Sequence, residues 1–187
     1  MNFSHEIANS IRVIYEMLKD RGYEEEDIAQ LKSVSEHESH HQMRFHILLK
    51  DICVFYDLNQ KFSRDIVDSV NNIDSPHFIF VIKASVTTSD SKKLMCIENK
   101  TCEIFSLLEL QFNKTKHFLV PKHELIKDEK QIEELVRSHN IKFKSQFPHI
   151  LRTDPMCKYL NAQPGNIVKI YRISPTSAES IIYRTVV

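Results

Sequence analysis

An α/β amino-terminal module followed by a small α+β carboxy-terminal module with a mixed sheet is the fold class this sequence predicts, on three observations. Up to about residue 110, segments with helical apolar spacing alternate with short apolar or β-branched runs, the layout of an α/β structure. Around 113–117 the alternation gives way to a polar connector, which places the boundary between modules 1–116 and 117–187. The charge also changes sign there: 14 basic and 18 acidic residues precede the boundary, 11 basic and 7 acidic follow it. The two modules thus carry −4 and +4 in a chain whose formal net charge is zero.

The elements follow in order. Ile7, Ile11, Ile14 and Leu18 recur at helical spacing, and Gly22 is placed to close that helix in a left-handed cap. The acidic residues 24–27 open a second short helix reaching Leu31, because carboxylates favour the positive end of the helix dipole; 33–43 reads as a polar loop. Residues 45–56 are rich in β-branched and aromatic types but broken at Lys50 and Asp51, which predicts two strands or a hairpin around that pair. Phe62, Ile66 and Val70 mark a helix. The nearly continuous apolar run 77–83 is the pattern of a strand covered on both faces, so helix followed by buried strand implies a crossover unit. Residues 89–97 predict a further helix, 102–105 a strand, and Ser106 with Glu109 a capping box opening a short helix.

In the second module a strand through 118–120 is expected before a helix starting near Asp128, with Gln131 three residues on and Ile132, Leu135 and Val136 on one face. Asp154 and Pro155 supply a capping side chain and a proline at the first helical position. Pro164 and Gly165 form a turn, and 166–173 and 180–187 follow as strands of an antiparallel hairpin.

Composition excludes several functions. With only two glycines, Gly22 and Gly165, no glycine-rich phosphate-binding loop can be built. The cysteines at 53, 96, 102 and 157 form no Cys-x-x-Cys pair, so neither a disulfide framework nor a zinc ribbon has its usual spacing. No apolar run approaches the roughly 20 residues of a membrane span, and the opening residues lack a signal peptide's basic end and apolar centre; a soluble, intracellular protein is expected.

Two groups of residues invite a function. His37, His40 and His41 could share a metal, but a catalytic zinc site needs three protein ligands and a supporting second shell, and a polar loop containing histidines is the commoner explanation. No serine sits in a Gly-x-Ser-x-Gly elbow and no cysteine carries a thiol-protease signature. Arg137, Lys142, Lys144, Arg152, Lys158, Lys169 and Arg172 are opposed between 137 and 172 only by Asp154. That stretch lacks the aromatic interleaving of a single-strand-binding platform and any helix-turn-helix pattern, so docking against acidic protein surfaces is favoured over DNA contact.

The carboxy-terminal segments HFLVPKHELI (117–126), LRTDP (151–155), QPGNIVKIYR (163–172) and YRTVV (183–187) resemble the fifth subunit shared by eukaryotic nuclear RNA polymerases. The same segments in the same order resemble nearly the whole of that subunit's shorter archaeal counterpart. DRGY (20–23) and the apolar strand leading into SVTTSD (85–90) resemble the eukaryotic protein's amino-terminal jaw domain, which the archaeal one lacks. A eukaryotic-type subunit is therefore implied, including copies carried by large DNA viruses, and low glycine content with a short jaw leans to a viral copy.

The resemblance implies a jaw at 1–116 beside downstream duplex DNA and an assembly domain at 117–187 docked on the largest polymerase subunit, neither performing phosphoryl transfer. It places Pro121, His123, Asp154, Pro155, Gly165, Val168, Lys169, Arg172, Ser174, Tyr183 and Arg184 at the family's signature positions. The family's Thr-Pro-Ser-Ala motif in the jaw stands here as Thr87, Thr88, Ser89 and Asp90, without the proline and with an added negative charge. DNA contact is accordingly expected to be weak and non-specific, through Thr87, Thr88, Ser89, Lys92 and Lys93, the bland reading being a solvated helix face. No cofactor or membrane partner is implied. The compartment is the nucleus for a cellular eukaryotic copy and a cytoplasmic virus factory or virion for a viral one. Two rivals remain: a free DNA-binding transcription modulator on the same fold, and a hydrolase or nuclease hosted by the α/β module.

Overall fold

The structure, a computed structural model, describes residues 4–36, 44–59, 73–83, 100–174 and 178–187. It divides into two compact units, Met1–Phe112 and Asn113–Val187. The division falls four residues before the expected boundary because the connector is anchored in the second unit: buried Asn113 donates from Nδ2 to the Tyr159 hydroxyl at 3.2 Å, and its Oδ1 accepts from the backbone and hydroxyl of Thr115.

The first unit begins with α1 (Ser4–Asp20), whose Ile7, Ile11, Ile14, Met17 and Leu18 are fully buried. Its end has the double hydrogen bond of a left-handed cap: Gly22 N–H donates to Lys19 C=O and Tyr23 N–H to Leu18 C=O, with Gly22 at φ +93°. A Cβ at Gly22 would meet nothing within 4 Å, so a substitution there is opposed by backbone conformation alone. Gly22→Ala is expected to cost about 1–2 kcal/mol in urea unfolding, the ordinary penalty of a left-handed L-residue. Helix α2 (Glu25–Glu36) runs five residues past Leu31, so the expected loop at 33–43 is helical over its first four residues.

Strands β1 (Arg44–Leu48) and β2 (Ile52–Asp57) form the hairpin around Lys50 and Asp51, closed by Leu49 N–H to Ile52 C=O at 2.8 Å. β3 (His77–Ile82) and β4 (Thr101–Ser106) extend the sheet in the order β1-β2-β3-β4, with β2, β3 and β4 parallel. Parallel neighbours require crossover connections; these pass through 58–76 and 83–100, where the helices expected at 62–70 and 89–97 lie outside the described residues. Every residue of β2 and β3 is buried, which explains the apolar runs Ile52–Tyr56 and Phe78–Ile82; Asp57 and His77 are the buried polar ends. Cys53, Phe55, Phe78, Phe80, Ile82 and Ile104 cluster on one face. The alternate residues face α1, where Ser10 donates to Ile7 C=O and accepts from the Tyr56 hydroxyl at 2.9 Å. After β4 the expected short helix is a 3-10 turn, Leu107–Leu110, with Glu109 accepting from Ser106 N–H.

The second unit holds a four-stranded sheet, β5-β7-β8-β6, built from β5 (Lys122–Ile126), β6 (His149–Ile150), β7 (Ile167–Ser174) and β8 (Ala178–Val186). β7 is antiparallel to both β5 and β8, and β6 is parallel to β8, so the sheet is mixed. Helix α3 (Glu129–Ser138) starts where Asp128 accepts from Lys130 N–H, and α4 (Pro155–Tyr159) where Asp154 accepts from Met156 N–H at 2.8 Å ahead of Pro155. One expectation fails: 118–120 is a turn, with Val120 N–H bonded back to His117 C=O, and the strand begins at Lys122. The apolar triplet looked like a core strand, but Phe118 and Leu119 are 89% and 71% exposed, and Pro121 has no N–H to give a ladder.

Among the described residues no helix is long and apolar enough to cross a membrane, and no three His, Cys, Asp or Glu side chains gather where they could hold a metal. His37, His40 and His41 lie outside them.

Candidate docking surface

Strand alternation divides the signature positions of the second unit between the two faces of its sheet. On one face lie His123, Val168, Arg172 and Arg184, with Ser174 at the same register. This face packs under α4: fully buried Val168 joins Ile150, Cys157, Ala162, Ile170 and Val186 in one apolar cluster. Asp154 and Pro155 set the start of the helix that covers it. Arg184 donates from Nη1 to His149 C=O at 3.0 Å and ties β8 to β6, while His123 donates from Nδ1 to Pro121 C=O at 2.7 Å and fixes the entry into β5. Arg172 is exposed.

Lys169 and Tyr183 occupy the opposite face, paired with each other across β7 and β8. Tyr183 packs beside Ile132, Phe147 and Ile167 under α3, with the His139 ring edge-on at 5.3 Å. The Lys169 ammonium lies 4.7 Å from the centroid of Tyr171. Tyr171 donates its hydroxyl to Glu124 at 2.6 Å, and Lys122 reaches the same carboxylate at 2.6 Å. Those two hydrogen bonds, Lys122's the larger effect, hold the Glu124 carboxyl below its usual range. Gly165 turns the chain at φ +88°, its N–H donating to Val186 C=O.

Lys169 and Arg172, both in the basic stretch 137–172, lie on opposite faces. Lys169 faces the α3 side and Arg172 the α4 side, while Arg137 on α3 is 3.6 Å from Glu133. Alternation of β7 thus puts two cations of a run that looks continuous in sequence on opposite faces of the sheet. Thr87, Thr88, Ser89, Lys92 and Lys93 lie outside the described residues.

Within the first unit, sequence reasoning missed a buried ionic triad. Arg21 sends both Nη atoms to Glu103 at 2.7 Å each, and His77 Nε2 lies 2.6 Å from Glu103 Oε1. Side-chain exposure is 6% for Arg21 and 9% for Glu103, so each charge depends on the other. Burial pushes the Glu103 carboxyl up, but the His77 hydrogen bond and the Arg21 guanidinium outweigh it and hold the group below the usual carboxylate value. The only trace in sequence is the DRGY segment, where Arg21 precedes the capping glycine. The triad fastens the end of α1 to β4 and β3. The Cys53, Cys102 and Cys157 thiols are likewise pushed up to about 11 by burial, so they are not thiolates near neutrality.

Residues 112–186 match the model of the RNA polymerase Rpb5 C-terminal domain. The chain is 46% identical over 78 residues to DNA-directed RNA polymerase subunit Rpo5 of Archaeoglobus fulgidus, covering all of that protein and 42% of this one. It is 42% identical over 73 residues to Rpo5 of Methanocaldococcus jannaschii, covering 91% of that protein and 39% of this chain. Against DNA-directed RNA polymerases I, II, and III subunit rpabc1 of Dictyostelium discoideum it is 35% identical over 121 residues, 63% of this chain and 60% of the relative. That alignment is longer than the second unit and so reaches into the first. The chain belongs to the Rpb5/Rpo5 family of RNA polymerase subunits.

Proposed function

We propose that this chain is a non-catalytic subunit of a multisubunit DNA-directed RNA polymerase, held on the largest subunit by 113–187 and presenting the first unit as a jaw beside the downstream duplex. One observation carries it: the second unit corresponds to the entire length of an archaeal protein named as a polymerase subunit. A module that exists alone in that role contains its own attachment surface. The first unit is then free to act on something else, and the 121-residue alignment with a eukaryotic relative extends well into it.

The jaw's work is positional. It touches duplex backbone through Thr87, Thr88, Ser89, Lys92 and Lys93, contacts that hold register without reading sequence. With 14 basic against 18 acidic residues in 1–116, a broad electrostatic grip is disfavoured and the contact is local. The copy works in the nucleus if it is cellular eukaryotic and in a cytoplasmic virus factory or virion if it is viral.

The test is affinity purification of the tagged full chain from its native source, with mass spectrometry of what accompanies it. Recovery of the largest polymerase subunit is expected, and K92A/K93A is expected to leave that recovery unchanged. A chain that recovers no polymerase but binds duplex DNA tightly and with strong salt dependence would be the free transcription modulator instead.

A further inference from the structure

We propose that the α4-side face of the second unit's sheet, at the end that α4 leaves uncovered, is a carboxylate-docking surface, where Arg172 and Arg184 receive two acidic side chains of an extended segment of another polymerase subunit. The proposal rests on the polymerase reading and names the chemistry of the partner.

Strand alternation sorts the charges of this sheet by face. Its two carboxylates, Glu124 of β5 and Glu179 of β8, both fall on the α3 side, the first opposite Lys169 and the second opposite Ile173. The α4 side holds Arg172 and Arg184 and has no acidic residue at any strand position. The connection at 175–177 carries no acidic residue either. Helix α4 adds one carboxylate, Asp154, which accepts Met156 N–H, and one ammonium, Lys158, and so brings no net negative charge to the arginines.

Both guanidiniums have capacity left. Arg172 is exposed and has no hydrogen-bond or ion-pair partner among the described residues. Arg184 gives Nη1 to His149 C=O at 3.0 Å, which leaves the other donors of its fork open. The apolar cluster under α4 takes in Val168, Ile170 and Val186 but not Ile182, which is half-buried, and Ala178 beyond it is exposed. The arginines therefore flank an apolar strip that the chain itself only partly covers.

Register sets the spacing. Arg172 pairs with Ser180, and Arg184 lies four residues further along β8 with Ile182 midway. At about 3.4 Å per residue the two anchors are roughly 14 Å apart along the strand. An extended chain with carboxylates at i and i+4 matches that separation and places its i+2 side chain, an apolar one, over Ile182. Arginine forks bordering an apolar strip are the composition of a protein interface, and opposite charge on the partner fixes its register. A nucleic-acid backbone, charged at every nucleotide, would set phosphates over Ile182, where there is no cation. A second copy docked through the same face would oppose arginine to arginine.

The experiment uses the tagged full chain in cells of its source, purified after nuclease treatment, with recovery of the largest polymerase subunit compared between wild type, Arg172→Glu, Arg184→Gln and Arg137→Glu. Melting temperature and oligomeric state of each purified chain are measured alongside. Recovery is expected to fall about tenfold for Arg172→Glu and severalfold for Arg184→Gln, and to stay at the wild-type level for Arg137→Glu, which makes the same charge change on α3. If Arg184→Gln melts lower because its tie to His149 is gone, Arg172→Glu decides alone, since Arg172 holds nothing in the chain. Full recovery with Arg172→Glu overturns the proposal, as does an equal loss with Arg137→Glu, which would make net charge and not this face the cause. Wild-type recovery abolished by the nuclease would assign the face to nucleic acid, and a wild-type dimer dispersed by Arg172→Glu would assign it to a second copy; either overturns the proposal. Wild type that recovers no polymerase even without nuclease would instead overturn the polymerase reading, so the two failures are distinguishable.

Discussion

Arg21→Met should destabilise the first unit by about 3–5 kcal/mol, the usual consequence of removing one partner from a buried ion pair. Methionine replaces the aliphatic stem of Arg21, so the loss comes from Glu103, left buried with His77 alone. Urea unfolding followed by circular dichroism at pH 7 measures it, and a change under 1 kcal/mol would mean that water reaches the carboxylate and the pair is not buried.

The same carboxylate makes a pH prediction with a definite sign. Glu103 titrates lower in the folded chain than its free value of 4.5, so near that pH the unfolded state binds the proton more readily. Its contribution to stability is fully present above about pH 4.5 and is lost as pH falls through the folded value. In wild type, this contribution to stability should therefore be lost as pH falls below about 4.5. Arg21→Met should flatten that decline, since the guanidinium that lowered the folded value is gone.

The contrast between this triad and the rest of the first unit shows what the sequence makes legible. α1, its glycine cap and the doubly buried β3 could be read because their signals are local: a 3.6-residue period, one glycine past the last turn, an unbroken apolar run. Arg21 and Glu103 are 82 positions apart, and no spacing rule connects them. The misreading of 118–120 has a different cause. Apolar residues before a proline look like a strand whether they face a core or solvent, and only the ladder at Lys122 shows where pairing begins.

The candidate site was half legible in the same sense. The signature positions came from resemblance, which gives identities but no faces. Alternation then puts neighbours Val168 and Lys169 on opposite sides of the sheet, so the eleven residues cannot form one surface. Several are architectural: Asp154 caps α4, Gly165 turns the chain and Val168 fills the core. Phe118 and Ile173 were read into strands, which gave no sign that both side chains are exposed.

Tyr183→Ala should therefore act through folding, in contrast with Arg172→Glu. Tyr183 fills the space between α3 and the sheet against Phe147, at 6.0 Å between ring centroids, and the His139 edge. Truncation opens a cavity there and should cost about 2–3 kcal/mol, below the range for fully buried aromatics because the ring is only partly covered. Tyr183→Phe keeps the ring and should retain most of that stability. Arg172 projects into solvent from the other face, so Arg172→Glu should leave the melting temperature unchanged while weakening incorporation into polymerase through charge alone. Melting curves and polymerase recovery on the same three variants separate the roles. Loss of recovery with an unaltered melting curve in Tyr183→Ala would move this residue from the core of the second unit to its interface.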